Sequence, residues 1–298
     1  MKHLYSLDKS SKKYLCPKCK RKRFVLYLNN SDAKILDYSV GRCDAEQSCG
    51  NHYKPRQYFG DNELVRPLAY PKQINQAIER SVTYHKDDEV IQSMISGECN
   101  LYRYLSDLYN RNLVNSVWKL YKVGTAPHWY NSTIFWLIDN NQNIRGGKMI
   151  SYSNKGKRSK YINWVHSYQL KNGKLKEFVL EQCFFGEHLI RTSQKPIAIV
   201  ESEKTALIMS LKFDKYLWLA AGSLNGINFS KMVPLKGRKI VLYPDLGINE
   251  KESPFKKWSL KSMELNKKGF DISVSTLLEN RGSINERREG LDLADYFT

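Results

Sequence analysis

Two sets of side chains in this sequence have types and spacings that could do chemistry. The first is four thiols, in CPKC at 16 to 19 and CDAEQSC at 43 to 49. Thiolates two residues apart can grip one ion from a tight knuckle, and a second pair across a hairpin closes a tetrahedron of the structural Zn²⁺ kind. Cys16, Cys19, Cys43 and Cys49 are the expected ligands; the five-residue gap in the second pair is wide, and Cys49-x-x-His52 offers His52 as the alternative. Cys99 and Cys183 stand alone and are expected in the core. The second set is acidic. Glu201 ends the run IAIV, Asp245 follows KIVLYP, and Asp292 and Asp295 lie in GLDLADYF. Carboxylates at the C-terminal edges of adjacent parallel strands converge in one crevice, where ligands of open α/β sheets bind. Hard oxygen donors there suit Mg²⁺ or Mn²⁺. Each of these acids, taken singly, equally fits a helix N-terminal residue favoured by the macrodipole.

The elements that must position them can be read in order. FVLYLNN and AKILDYSVG, joined by Asn29-Asn30-Ser31-Asp32, predict a hairpin between the cysteine pairs, hence a zinc ribbon. A linker over 54 to 73 follows, where Pro55, Gly60, Pro67 and Pro71 discourage regular structure. Apolar recurrence at three and four predicts helix between 84 and 121, and TIFWLID (133 to 139) with IRGGKMISY (144 to 152) predicts a second hairpin. Strands are then expected at 196–200, 216–220, 239–243 and 270–276, with helices near 203–212 and 255–268 and a short one at 291–297. Helical crossovers between short apolar strands imply a mainly parallel sheet with right-handed connections. The domain boundaries expected are 1–60, a β zinc ribbon; 61–194, a basic α+β subdomain; and 195–298, an α/β domain with a Rossmann-like parallel sheet.

Charge narrows the partner. The 298 residues carry 48 Lys+Arg against 30 Asp+Glu, a formal net charge of +18. An excess this large points to a polyanion, and nucleic acid fits better than a membrane surface because no lipidation motif or basic amphipathic helix is present. From Asn140 to Lys176 there is no acid, while nine Lys and Arg occur. Arg145, Lys148, Lys157, Arg158 and Lys160 are the expected phosphate contacts, and Tyr161 and Trp164 the expected stacking surfaces. The first residues lack the apolar core of a signal peptide and no run is long enough to span a bilayer, so a cytoplasmic location is expected. No G-x-x-x-x-G-K-[ST] loop occurs, which argues against a motor.

In order along the chain, CPKC, FWLIDNNQNIRGGKMISY, SKYINW, FFGEHLI, VESEKTALI, AGSLNG, YPDLG and DLADYF resemble the DnaG-type bacterial primases. Those proteins end in the Toprim domain that topoisomerases share. The likeness is nearest to small primase-like proteins of phages and mobile elements of the Bacteroidetes type, and weakest between about 54 and 120. It implies a Toprim domain at the C-terminus and Glu201, Asp245, Asp292 and Asp295 as catalytic Mg²⁺ or Mn²⁺ ligands. It also places Lys160, Tyr161 and Asn163 in a nucleic-acid-binding Lys-Tyr-Ile-Asn motif. The implied activity is Mg²⁺-dependent synthesis of RNA primers from ribonucleoside triphosphates on single-stranded DNA, with a replicative helicase as an optional partner in trans. One departure matters: the family's Asp-x-Asp is Asp245-Leu246-Gly247 here, so a carboxylate is missing where a ligand is expected. Asp292, Asp295 or Glu250 could compensate. A catalytically inactive zinc-ribbon and Toprim DNA-binding module is the alternative reading, and a Toprim nuclease the third.

Overall fold

The computed structural model describes residues 3–45, 49–62, 81–248 and 253–298. It divides into two compact units, Met1–Glu79 and Arg80–Thr298.

In the first unit, β3 (Lys22–Asn29) is the centre of an antiparallel sheet. It pairs with β1 (Tyr5–Leu7), β2 (Tyr14–Leu15) and β4 (Gly41–Cys43), and β4 pairs with β5 (His52–Tyr53). A short α1 (Pro55–Asp61) follows, with Pro55 in the first turn, where its missing N–H costs nothing. Two expectations are corrected here. The strand returning from β3 is Gly41–Cys43, not 33–41, because Asp32 and Asp37 side chains accept from the amides of Lys34 and Ser39 and fold that stretch into local turns. The start of the linker is helical; its remainder, with Pro67 and Pro71, lies outside the described residues, as does Glu250.

The second unit joins two four-stranded sheets. The first, β6 (Gly124–Ala126), β7 (Ser132–Ile138), β8 (Ile144–Tyr152) and β9 (Arg158–Trp164), is antiparallel in sequence order. All seven residues of β7 are buried, as a continuous apolar run requires when both faces are covered. β9 is an edge strand with four of its seven residues exposed. Before the sheet come α2 (Asp87–Ile95), α3 (Asn100–Leu108) and α4 (Arg111–Leu120), and α5 (Val165–Lys171) follows it.

The second sheet is wholly parallel: β10 (Ile197–Val200), β11 (Leu217–Ala220), β12 (Lys239–Leu242) and β13 (Asp271–Val274), in spatial order β11-β10-β12-β13. Its helices include α6 (Glu203–Lys212), α7 (Phe229–Met232), α8 (Pro254–Asn266), α9 (Leu277–Arg281) and α10 (Ile284–Glu289). A 3₁₀ turn, Leu293–Tyr296, forms where the short final helix was expected. One hydrophobic core runs from Phe135 and Ile150 of the antiparallel sheet through α3 and α4 to Ile197–Val200 and Leu217–Ala220. Among the described residues no helix is long and apolar enough to cross a membrane.

Candidate functional site

The four thiols meet. Cys16 and Cys19 flank the knuckle before β3, Cys43 ends β4, and Cys49 lies before β5. Their sulfurs all lie within 4.8 Å of one another, with Cys16–Cys49 at 3.7 Å and Cys19–Cys43 at 3.9 Å. A tetrahedral ion with Zn–S bonds near 2.3 Å needs sulfurs about 3.8 Å apart, so the set fits Zn²⁺. Asn51 Nδ2 donates to Cys16 Sγ at 3.2 Å. Against the cost of burial, the Cys19 amide and Asn51 hold the Cys16 thiol at about 6, which favours the thiolate a metal needs. His52 is not part of the cluster: its Nε2 sits 2.9 Å from the Tyr27 hydroxyl, and its ring stacks on that of Tyr27.

The acidic residues converge in the second unit. Glu201 follows β10 directly, and the N-cap of α6 is the next residue, Ser202, whose hydroxyl accepts from the Thr205 amide. Glu201 is therefore not the helix cap. Its backbone C=O accepts from the Gly222 amide at 2.8 Å, and Gly222 sits at φ +82°, a conformation that favours glycine. Asp245 lies three residues beyond β12. The Leu246 amide donates to Leu291 O at 2.9 Å and thereby brings the Asp292 segment over the same sheet edge. Asp292 is buried, and its Oδ2 accepts from the Thr205 hydroxyl on α6.

The electrostatics record this proximity. Burial, then the charge of Asp292, raises Glu201 to about 7, against the Asp245 amide and Lys257. Burial and the charges of Glu201, Asp292 and Asp295 raise Asp245 to about 9, and Arg158 offsets only part of this. Burial and Asp292 also raise Asp295. Carboxyls held this far above their ordinary range are poised to lose protons to a cation.

The fit to a divalent cation is partial. Among the described residues, only the four cysteines form a set of three or more ligand atoms all within 4.8 Å. Asp292 is the N-cap of the 3₁₀ turn: its Oδ1 accepts from Ala294 and Asp295 amides, while Asp295 Oδ2 accepts from the Asp292 amide. The bland capping role therefore holds for both residues, whatever else they do. At Gly247, a Cβ would come within 2.6 Å of Pro254 Cδ, so the loop is packed around glycine.

The basic residues divide into two groups. Arg145 Nε donates to Asp139 Oδ2 at 2.6 Å, and the guanidinium also pairs with Glu181. Lys148 Nζ donates to both Glu203 oxygens at 2.9 and 3.2 Å and to Gly222 O at 3.0 Å, with Glu203 buried and Lys148 mostly covered. Neither is a free phosphate contact, because each already has its counter-charge inside the fold. Lys157, Arg158, Lys160 and Tyr161 lie on or beside the exposed edge of β9, and Asn163 Oδ1 accepts from the Trp164 amide at 2.9 Å. Trp164 packs partly buried against the core.

Sequence reasoning missed three contributors: Glu203, Lys257 and Thr205. Glu203 and Thr205 stand in VESEKTA, two and four residues after Glu201, and that adjacency was the available signal. Nothing in the local sequence foretold the field of Lys257 on Glu201 or of Arg158 on Asp245.

Residues 3–64 match the family described as zinc beta-ribbon finger, in agreement with the cysteine cluster, and residues 99–246 match a domain of unknown function (DUF6371). No curated protein matches the chain. Among solved structures, the chain is similar to the DnaG primase catalytic domain bound to ssDNA, at 13% identity and TM-score 0.45, over 66% of this chain and 73% of that one. It is also similar to the primase fragment of the bacteriophage T7 primase-helicase, at 15% identity and TM-score 0.33, over 59% and 69%.

Proposed function

We infer that the second unit is a primase-type Toprim nucleotidyltransferase that joins ribonucleotides on single-stranded DNA, with the zinc ribbon as an accessory DNA-binding unit. The observation that carries this is the meeting of Glu201, Asp245 and Asp292 from three separate segments at the C-terminal edge of a parallel sheet. Clustered carboxyls repel one another, and a site that keeps them together is stabilised by a cation. Glu201 and Asp245 would hold Mg²⁺ or Mn²⁺, with Asp292 and Asp295 bracing them. Such an ion, when bound, would neutralise a triphosphate and acidify a 3′ hydroxyl.

The chain's own groups do the rest. Glu201, which burial and Asp292 hold up to about 7 without a cation, would yield its proton as the ion binds and serve as its ligand. Lys157, Arg158 and Lys160 carry the charge that template phosphates require, and Arg158 already lies in the field of Asp245. Replication of a phage or mobile element, with or without a helicase in trans, is the setting that the sequence resemblance implies.

Gly247 supports a second reading. The family's second carboxylate is absent and Pro254 fills the space it would need, as expected of a binding module that has lost its chemistry. Incubating the pure protein with single-stranded DNA, Mg²⁺ or Mn²⁺ and labelled ribonucleotides separates the readings. New labelled oligoribonucleotides support the transferase. Shortened DNA would mean a nuclease, and bound but unaltered DNA a module.

A further inference from the structure

Two tyrosines outside the acidic crevice share an arrangement that packing does not account for. Tyr130, in the loop between β6 and β7, and Tyr161, on β9, stack with ring centroids 4.2 Å apart and planes 14° from parallel. Yet the two residues are 58% and 38% exposed. Among the described residues neither hydroxyl has a hydrogen-bond partner. A stacked pair that belonged to the core would be covered, and its hydroxyls would be bonded.

The backbone is bent to present them. Tyr130 and Asn131 are consecutive non-glycine residues in the left-handed region, at φ 53° and 46°. A bulky residue rarely adopts that conformation without compensation, and strain of this kind collects at binding sites. The loop is held by the Asn131 side chain, which donates to Glu98 O at 3.1 Å, and by the Ser132 amide, which donates to Trp129 O at 3.1 Å. Trp129 sets its ring across that of Tyr130 at 77° and braces it. A cation stands beside the pair: Lys160 Nζ lies 5.6 Å from the Tyr161 ring centroid, and among the described residues no carboxylate lies within 4.0 Å of Lys155, Lys157, Arg158 or Lys160.

We propose that Tyr130 and Tyr161 form one base-stacking platform for single-stranded nucleic acid, with Lys157 and Lys160 holding the adjoining phosphates. This rests on the reading of the second unit as a single-strand-binding protein and gives it a residue-level contact. A flat, exposed π surface beside uncompensated cations complements a strand with π-faced bases and anionic linkages, whereas an acidic peptide would use the charge and leave the rings idle.

The test compares two dye-labelled strands of about 20 residues, oligothymidylate and its abasic counterpart, in anisotropy titrations of the full, zinc-loaded chain. Both carry the same phosphates, so their affinity ratio isolates base contacts. The wild type is expected to favour the thymidylate strand roughly 5- to 150-fold, the range of one base-aromatic stack. Tyr130→Ala and Tyr161→Ala should each pull that ratio toward one, while Tyr130→Phe, which keeps the ring, retains it. A ratio unchanged in Tyr130→Ala, or a wild type that binds both strands alike, overturns the platform while leaving the phosphate track intact. A wild type that binds neither strand overturns the single-strand reading itself.

Discussion

Glu201 and Asp245 illustrate how much a single side chain revealed before its neighbours were known. That each follows a strand of the parallel sheet is legible from IAIVE and KIVLYPD, because an apolar run broken by an acid marks a strand end. What is not legible is the protonation each neighbour imposes, since this depends on Asp292, 47 residues beyond Asp245 and 91 beyond Glu201. Both carboxyls titrate higher in the folded chain, at about 7 and 9, than in the unfolded one, at 4.5 and 3.8. Between roughly pH 4 and 9 these two carboxyls therefore hold more protons in the folded state, and their contribution to stability falls as pH rises through that window. The buried His188, which is held down to about 4, works the other way below its ordinary range. Without added Mg²⁺, wild type should melt at a higher temperature at pH 5.5 than at pH 8.5, and Asp245→Asn should narrow the difference. An equal pH dependence in both proteins would mean that Asp245 titrates normally. Gly247 yields a second prediction. The missing carboxylate was visible in the sequence, but the Pro254 ring that blocks its return was not. Gly247→Asp should lower stability by about 1–3 kcal/mol, as overpacking does, without a gain in metal affinity. A stable variant with tighter Mg²⁺ binding would show that the loop can open.

At the scale of elements, the four strands after residue 195 and the helix at 203–212 are legible because their apolar runs are sharply bounded, whereas α7, α9 and α10, of four to six residues each, are too short to show a period. The ribbon's second strand was misplaced because VLYLNN and AKILDY have similar alternation, and the aspartate-capped turns that break the latter involve only a few atoms. The acid-free stretch was read as one track, and the fold splits it. Arg145 and Lys148 turn inward, and Lys155, Lys157, Arg158 and Lys160 outward, a difference decided by partners in other elements. Lys148 ties β8 to α6 and to the 221–226 loop, and Lys231 from α7 holds the same loop through Ala221 O at 3.0 Å. Lys148→Met would leave Glu203 buried and unpaired, so it should cost about 3–5 kcal/mol in chemical denaturation. Adding Glu203→Gln to Lys148→Met should recover part of that loss. If the single substitution proves mild, the pair is solvated and Lys148 returns to the list of phosphate contacts.

At the scale of the whole chain, the order of zinc ribbon, antiparallel sheet and parallel sheet is legible because each has its own composition. The approach of Arg158, on β9 of the antiparallel sheet, to Asp245 of the parallel one is not. If β9 carries the template, binding to single-stranded DNA should weaken with salt by about 0.7 log units per log unit of salt for each phosphate neutralised. Lys157→Ala, Arg158→Ala and Lys160→Ala together should then reduce the slope by about 2, and an unaltered slope would place the track elsewhere. Removing zinc with a chelator should unfold the ribbon around Cys16, Cys19, Cys43 and Cys49 and leave the melting of the second unit in place, because ribbons draw their stability from the ion. The central claim is that Glu201 and Asp245 make a divalent-cation site, and the most direct measurement is Mn²⁺ titration followed by the electron paramagnetic resonance of the free ion, with zinc held in the ribbon. The expected result is saturable binding that Mg²⁺ competes away and that Glu201→Gln and Asp245→Asn each abolish while the chain stays folded. Binding that survives both substitutions, or a wild type that binds no Mn²⁺, would contradict it.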